Sequence, residues 1–190
     1  MLEHGVILDG FSCRLRPIKI EDEDLVLNLW NQDYVIGNLY SGRTTSEVYR
    51  KYFSKYSVDT GAWQWVIERK CDGAFCGTIG CNRVEDCINF GWVAMCKNRG
   101  FYAMEACALL FDYVFTVLNP KMIKFNVASH NERAMRVYKS LGAVGSGEIQ
   151  TGVSRYGQRY AHEKWFCLKK DWLQSEGYAF LKTNRLLIGA

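Results

Sequence analysis

Apolar and polar residues alternate over residues 11–20, with Leu15, Ile18 and Ile20 set against Arg14, Arg16 and Lys19. That two-residue period predicts a first strand with one buried face. Glu21-Asp22-Glu23-Asp24 then opens a helix over 21–30, its acids suiting the positive end of the helix dipole. A loop holding Gly37 and Ser41-Gly42 follows. Thr44-Thr45-Ser46-Glu47 caps a second helix over 47–56, with aromatic residues at 49, 52, 53 and 56. Residues 63–69 and 74–84, joined by the turn Lys70-Cys71-Asp72-Gly73, read as a β-hairpin. The next strand, Cys87–Met95, is nearly continuously apolar after Asn89, the pattern of a strand covered on both faces.

The longest helix is predicted over 101–118, closed by Asn119-Pro120. A strand at 122–128, an amphipathic helix at 131–141 and strands at 143–150 and 161–168 complete the order. Asn131 is a good N-cap type for that helix, and Gly142 stops it. A hairpin and strand, then alternating helices and strands, predict an α/β (mixed α+β) sandwich on a mixed sheet. Residues 1–170 read as one domain. Residues 171–190 form a C-terminal extension whose Trp172, Leu173, Tyr178, Phe180 and Leu181 need burial, on the domain or against a second subunit, which would make a homodimer.

Composition narrows the classes. In 190 residues, 48% hydrophobic and 14% aromatic with two prolines, there is enough apolar material for an ordinary core. A net charge of +4 suits an anionic ligand but falls short of a nucleic-acid footprint, so no nucleic-acid partner is expected. No apolar run approaches the roughly 20 residues that span a bilayer, so no membrane association is expected. Met1-Leu2-Glu3-His4-Gly5 carries no basic, apolar leader, which points to the cytoplasm. Eight cysteines show no C-x2-C pair of the zinc type, so they read as free thiols packed as small hydrophobes, with no metal.

Two loops carry the candidate chemistry. Lys97-Asn98-Arg99-Gly100-Phe101-Tyr102-Ala103 leads from a strand into a helix, where free N–H groups can meet an anion, Gly100 permits close approach, and Lys97 and Arg99 add charge. The second is Asn131-x-x-Ala134-x-x-x-Tyr138-x-x-x-Gly142, which places Tyr138 two turns beyond Asn131 on nearly the same face. Two strand–helix units with these residues resemble the GNAT superfamily of acetyl-CoA-dependent N-acetyltransferases. The loop departs from the family's Gln/Arg-x-x-Gly-x-Gly/Ala pattern at Lys97 and Tyr102, and Ala143 stands where Phe is usual. Leu15-Arg16-Pro17, Gly77-Thr78-Ile79-Gly80 and Gly157-Gln158-Arg159-Tyr160 resemble the branch of ribosomal-protein and spermidine N-acetyltransferases, whose layout amino-sugar acetyltransferases share.

The resemblance implies a central, mostly antiparallel, twisted sheet of about seven strands with helices on both faces. It implies acetyl-CoA as cosubstrate, with main-chain groups of Val93 and Met95 and the side chain of Asn131 on the pantetheine arm. Tyr138 would sit by the thioester sulfur, as a general acid for the departing thiolate. The central strand's usual general-base Glu is replaced by Asn89, which cannot take a proton but can hold a water. Glu85, Asp86 and His130 are the candidate bases. Acidic residues 21–24, Asp33 and Glu47 could attract a cationic amine. The acceptor is expected to be a protein N-terminus or small amine, then a polyamine, then an amino-sugar nucleotide. A non-catalytic acyl-CoA-binding or sensing module is the rival reading.

Overall fold

The computed structural model describes residues 5–58 and 61–188, so the ends of both expected units, residues 1–4 and 189–190, lie outside it. Eight strands are described: β1 (Leu8–Asp9), β2 (Cys13–Pro17), β3 (Ala62–Arg69), β4 (Phe75–Val84), β5 (Cys87–Met95), β6 (Met122–Ala128), β7 (Val144–Val153) and β8 (Arg159–Cys167). They form one sheet in the order β1-β2-β3-β4-β5-β6-β8-β7. Every neighbouring pair is antiparallel except the parallel β5 and β6. β1, at two residues, is too short to show a period.

Seven α-helices are described around the sheet. α1 (Glu23–Trp30), α2 (Asp33–Leu39) and α3 (Ser46–Val58) lie on one face, while α4 (Tyr102–Tyr113), α5 (Glu132–Ser140), α6 (Lys169–Leu173) and α7 (Glu176–Ile188) lie on the other. The larger core joins Trp63, Trp65 and Ile67 of β3, Phe90 of β5 and Phe125 of β6 to Leu110, Phe111 and Phe115 around α4. The Phe90 ring meets those of Phe111 and Phe125 edge-on, at 5.1 and 5.4 Å. Each such pair adds about 0.5–1.5 kcal/mol beyond its buried area. Trp172 belongs to this same core, 5.9 Å from the Phe111 ring, with Leu181 buried beside it.

Several expected elements are redrawn by tertiary contacts. The first strand is confined to Cys13–Pro17, because the buried carboxylate of Glu105 in α4 takes the main-chain amides of Phe11 and Ser12 and the Ser12 hydroxyl. One 3-10 turn, Ile20–Asp22, precedes α1. Asp22, expected to serve the helix dipole, instead turns inward to accept both Arg16 Nη atoms at 2.7 Å, while Arg16 Nε donates to Glu68 at 2.6 Å. α2 replaces part of a predicted loop. The long helix changes to a π-helical turn at Val114–Leu118 before Asn119 ends it in the left-handed region. All eight cysteines are free thiols, and Cys13, Cys76, Cys81, Cys107 and Cys167 are buried.

Candidate active site

The site arises where the sheet comes apart. β5 and β6 pair only through Cys87↔Met122, Ile88↔Ile123 and Asn89↔Lys124. Beyond Asn89 the strands splay, leaving the β6-facing edge of β5 without a strand partner. On its other edge β5 bulges: Gly80 pairs with Gly91 and Thr78 with Ala94, so β5 carries one extra residue. Trp92 takes a left-handed φ of 52° within that bulge. The apolar run after Asn89, expected to be covered on both faces, instead lines a cavity of about 690 Å³.

α5 supplies the cavity's inner wall. The Asn131 Oδ1 atom accepts the Ala134 amide at 3.1 Å and caps the helix, leaving its Nδ2 donors for other partners. Tyr138, only 8% exposed, packs its ring 4.7 Å from Phe125 and 5.7 Å from Phe90, and borders the cavity where the strands part. Burial pushes its phenol well above the ordinary value, the nearby Cys107 thiol adding to the effect. The phenol therefore stays protonated throughout the neutral range. Ala134, Val93 and Met95 share the same wall.

The outer end is the β5–α4 loop, from which Lys97, Asn98, Gly100 and Ala103 line the cavity. Amides of Tyr102 and Ala103 are taken by the carbonyls of Arg99 and Gly100, both at 3.1 Å. Those of Asn98, Gly100 and Phe101 have no main-chain partner among the described residues, which leaves them available to an anionic ligand. Arg99, Phe101 and Tyr102 keep their side chains out of the wall. Phe101 is 75% exposed, and Tyr102 packs on the main core, its ring 4.9 Å from that of Phe101. The bulk of Tyr102, where the family has a small residue, is thus directed away from the cavity.

α2 roofs the opening. The Tyr34 Oη atom donates to the Met95 carbonyl at 2.9 Å, so that carbonyl, expected to be free for the pantetheine arm, already has a partner. The Lys97 ammonium lies 5.7 Å from the Tyr34 ring centroid. At the other end Tyr40, in the left-handed region at φ 48°, donates to the Ala161 carbonyl at 2.6 Å and accepts its amide at 3.2 Å. These two phenols pin α2 across the gap, one on β5 and one on β8.

The candidate bases are not gathered here. His130 is exposed, edge-on to the Tyr40 ring at 6.3 Å, and does not line the cavity. Asn89 donates its side-chain amide to Asn82 Oδ1 at 3.2 Å, also outside the wall. Glu85 and Asp86 flank a separate depression of about 280 Å³ at the opposite end of β5. There Lys121, 2.7 Å away, holds the Asp86 carboxyl below the usual carboxylate range. The one carboxylate among the described lining residues is Asp33, exposed and paired with Arg43 at 3.1 Å.

Sequence reasoning missed Arg133. Its guanidinium lies against Gly100: a Cβ built on Gly100 would stand 2.1 Å from Arg133 Nη2 and 2.5 Å from Cζ. A cation in the first turn of a helix opposes the helix dipole, and that misfit is the signal that could have found it.

A family model described as "Acetyltransferase (GNAT) domain" matches residues 13–144. The chain belongs to the GNAT acetyltransferase family. Spermidine N(1)-acetyltransferase of Escherichia coli strain K12 is 29% identical over 148 residues, covering 73% of this chain and 76% of that protein. In fold, the chain is similar to a Vibrio cholerae spermidine N-acetyltransferase solved with CoA and spermine (TM-score 0.76, 18% identity, 85% of this chain and 98% of that one). It is similar also to an acetyltransferase of T. thermophilus (TM-score 0.77, 23% identity, 96% of this chain and 98% of that one).

As a GNAT protein, the chain is an acetyl-CoA-dependent N-acetyltransferase. The cavity fits that cosubstrate by its own chemistry. Cationic groups and open amides stand at one end, an unpartnered strand edge runs between, and a buried phenol closes the other. Among the described residues no helix is long and apolar enough to cross a membrane, and no cluster of His, Cys, Asp or Glu could hold a metal ion.

Proposed function

We propose that this N-acetyltransferase acts on the primary amine of a small molecule or a protein N-terminus, by direct attack with both substrates held in the one cavity. The observation that carries this reading is the buried Tyr138 phenol at the point where β5 and β6 separate. Acetyl-CoA supplies an activated thioester carbonyl and a thiolate leaving group. Tyr138 donates its proton to that thiolate. Main-chain amides on the free edge of β5, at and beyond Val93, polarise the carbonyl oxygen. Asn131 Nδ2 and the Val93 main chain hold the pantetheine arm, and the loop from Lys97 to Ala103 holds the phosphates.

Removal of the amine's proton falls to solvent at the mouth of the cavity. The described wall holds no histidine, and its one carboxylate is already paired with Arg43. Asn89 and Asp86 are engaged elsewhere, and His130 serves the surface around Tyr40. Charge also bears on the acceptor. The one carboxylate among the described lining residues, Asp33, is already paired with Arg43, which favours an acceptor with one amine over a polycation. The resemblance to the E. coli spermidine enzyme supports a polyamine as the second reading. A panel of amines, N-terminal peptides and polyamines assayed by release of free CoA thiol separates them. Turnover restricted to single-amine acceptors supports the proposal, and preferential turnover of spermidine overturns it.

A further inference from the structure

Beside β6 the cavity wall runs on into an exposed face of the sheet. Asn126 and Ala128 of β6 line the cavity, and their partners one strand further out are Lys164 and His162 of β8. Neighbouring strands lie about 5 Å apart, so these side chains stand at the cavity's edge. Alternation puts Tyr160, His162, Lys164 and Phe166 on one face of β8. The Tyr40 ring, 5.8 Å from Tyr160, marks it as the face on which α2 lies.

Tyr160 and His162 stack there at 4.8 Å and an interplanar angle of 10°. Burial and the Lys164 charge hold the His162 pKa below its ordinary value, so that ring is neutral near pH 7. Lys164 is exposed, and Lys124 stands opposite Phe166 on the same face. Neither lysine has a carboxylate partner among the described residues. Glu163 of the same strand points the other way, where it takes the Gly147 amide and the Trp165 indole N–H. Two uncommitted cations beside two stacked rings repel a polycation and fit a flat ring that carries an oxyanion. We infer that this face of β8 selects the acceptor, Lys164 and Lys124 taking an anionic group on it and the Tyr160–His162 stack its ring. The inference rests on the single-amine reading and narrows it to an amine on an anionic aromatic body.

The test measures kcat/KM by CoA release for three pairs of amines that differ in one anionic group. They are hexylamine and aminohexanoate, benzylamine and aminomethylbenzoate, and tyramine and tyramine phosphate. The anionic member of each pair should lead by about threefold or more at low salt, a margin that added salt shrinks. The aromatic anions should lead aminohexanoate, and whichever of the two leads distinguishes a carboxylate from a phosphate. Lys164→Glu should cancel or reverse the preference within each pair, while Lys164→Arg should keep it. Lys164 is exposed, so the fold should tolerate both changes, and a melting curve checks it. Tyr160→Leu should cut the advantage of aromatic over aliphatic anions by about twofold to tenfold. Neutral amines that match or outrun their anionic partners overturn the inference, as do pair ratios unchanged in Lys164→Glu. Spermidine turned over in preference to all six would instead overturn the single-amine reading beneath it.

Discussion

At the scale of single residues, Asn131 carries two duties that one substitution can separate. Its Oδ1 caps α5 through the Ala134 amide, while its Nδ2 is free for the pantetheine arm. Asp caps a helix as well as Asn does, but has no N–H to give. Asn131→Asp should therefore keep the melting temperature nearly unchanged, while the KM for acetyl-CoA rises about tenfold, as for a lost hydrogen bond to ligand. Asn131→Ala should lose both, destabilising the fold by about 1 kcal/mol. An unchanged KM in the Asn131→Asp enzyme would leave Asn131 as a cap alone. The capping role and the spacing to Tyr138 were legible in the sequence, because both follow from helix geometry. Arg133 was not, since its partner Gly100 lies across the splay and no local period links them.

At the scale of elements, β2 to β8 and the helices α1, α3, α4 and α5 were legible from their apolar patterns and end signals, whereas β1 and the terminal helices α6 and α7 were not. What escaped depends on contacts between distant segments. α2 is short and carries Gly37 in its interior, and it holds because Tyr34 and Tyr40 anchor it to Met95 and Ala161. The run after Asn89 looks the same whether a helix or a ligand covers it, so periodicity could not reveal the splay. Tyr34→Phe removes the hydroxyl bonded to the Met95 carbonyl and should cost about 1 kcal/mol. Hydrogen exchange of the α2 amides should quicken. Unchanged exchange in α2 would show that Tyr34 does not fix this roof.

At the scale of the whole molecule, the mixed architecture followed from the element order and the mostly antiparallel sheet from the family resemblance, and the cysteines packed as free, mainly buried thiols. Those thiols set how stability responds to pH. Burial pushes Cys13, Cys81 and Cys107 far above the ordinary thiol value, and Cys167 up to about 12. Their folded-state pKa values are raised, so the unfolded chain loses these protons first. Stability is then fully present below the ordinary thiol value of 9.0 and falls as pH rises through and above it. Urea unfolding under reducing conditions should give a nearly flat free energy from about pH 7 to 8. Above about pH 9 it should decline by up to about 1.4 kcal/mol per pH unit for each buried thiol. A profile that stays flat to about pH 10 would show that these thiols titrate normally.

The account depends above all on the buried phenol that closes the cavity. Tyr138→Phe keeps the ring that packs between Phe90 and Phe125 and removes only the proton donor. Measured by CoA release at saturating acceptor, its kcat should fall by about 10²–10⁴-fold, with the Kd for CoA nearly unchanged. A Tyr138→Phe enzyme with wild-type kcat would contradict the mechanism and reduce Tyr138 to packing.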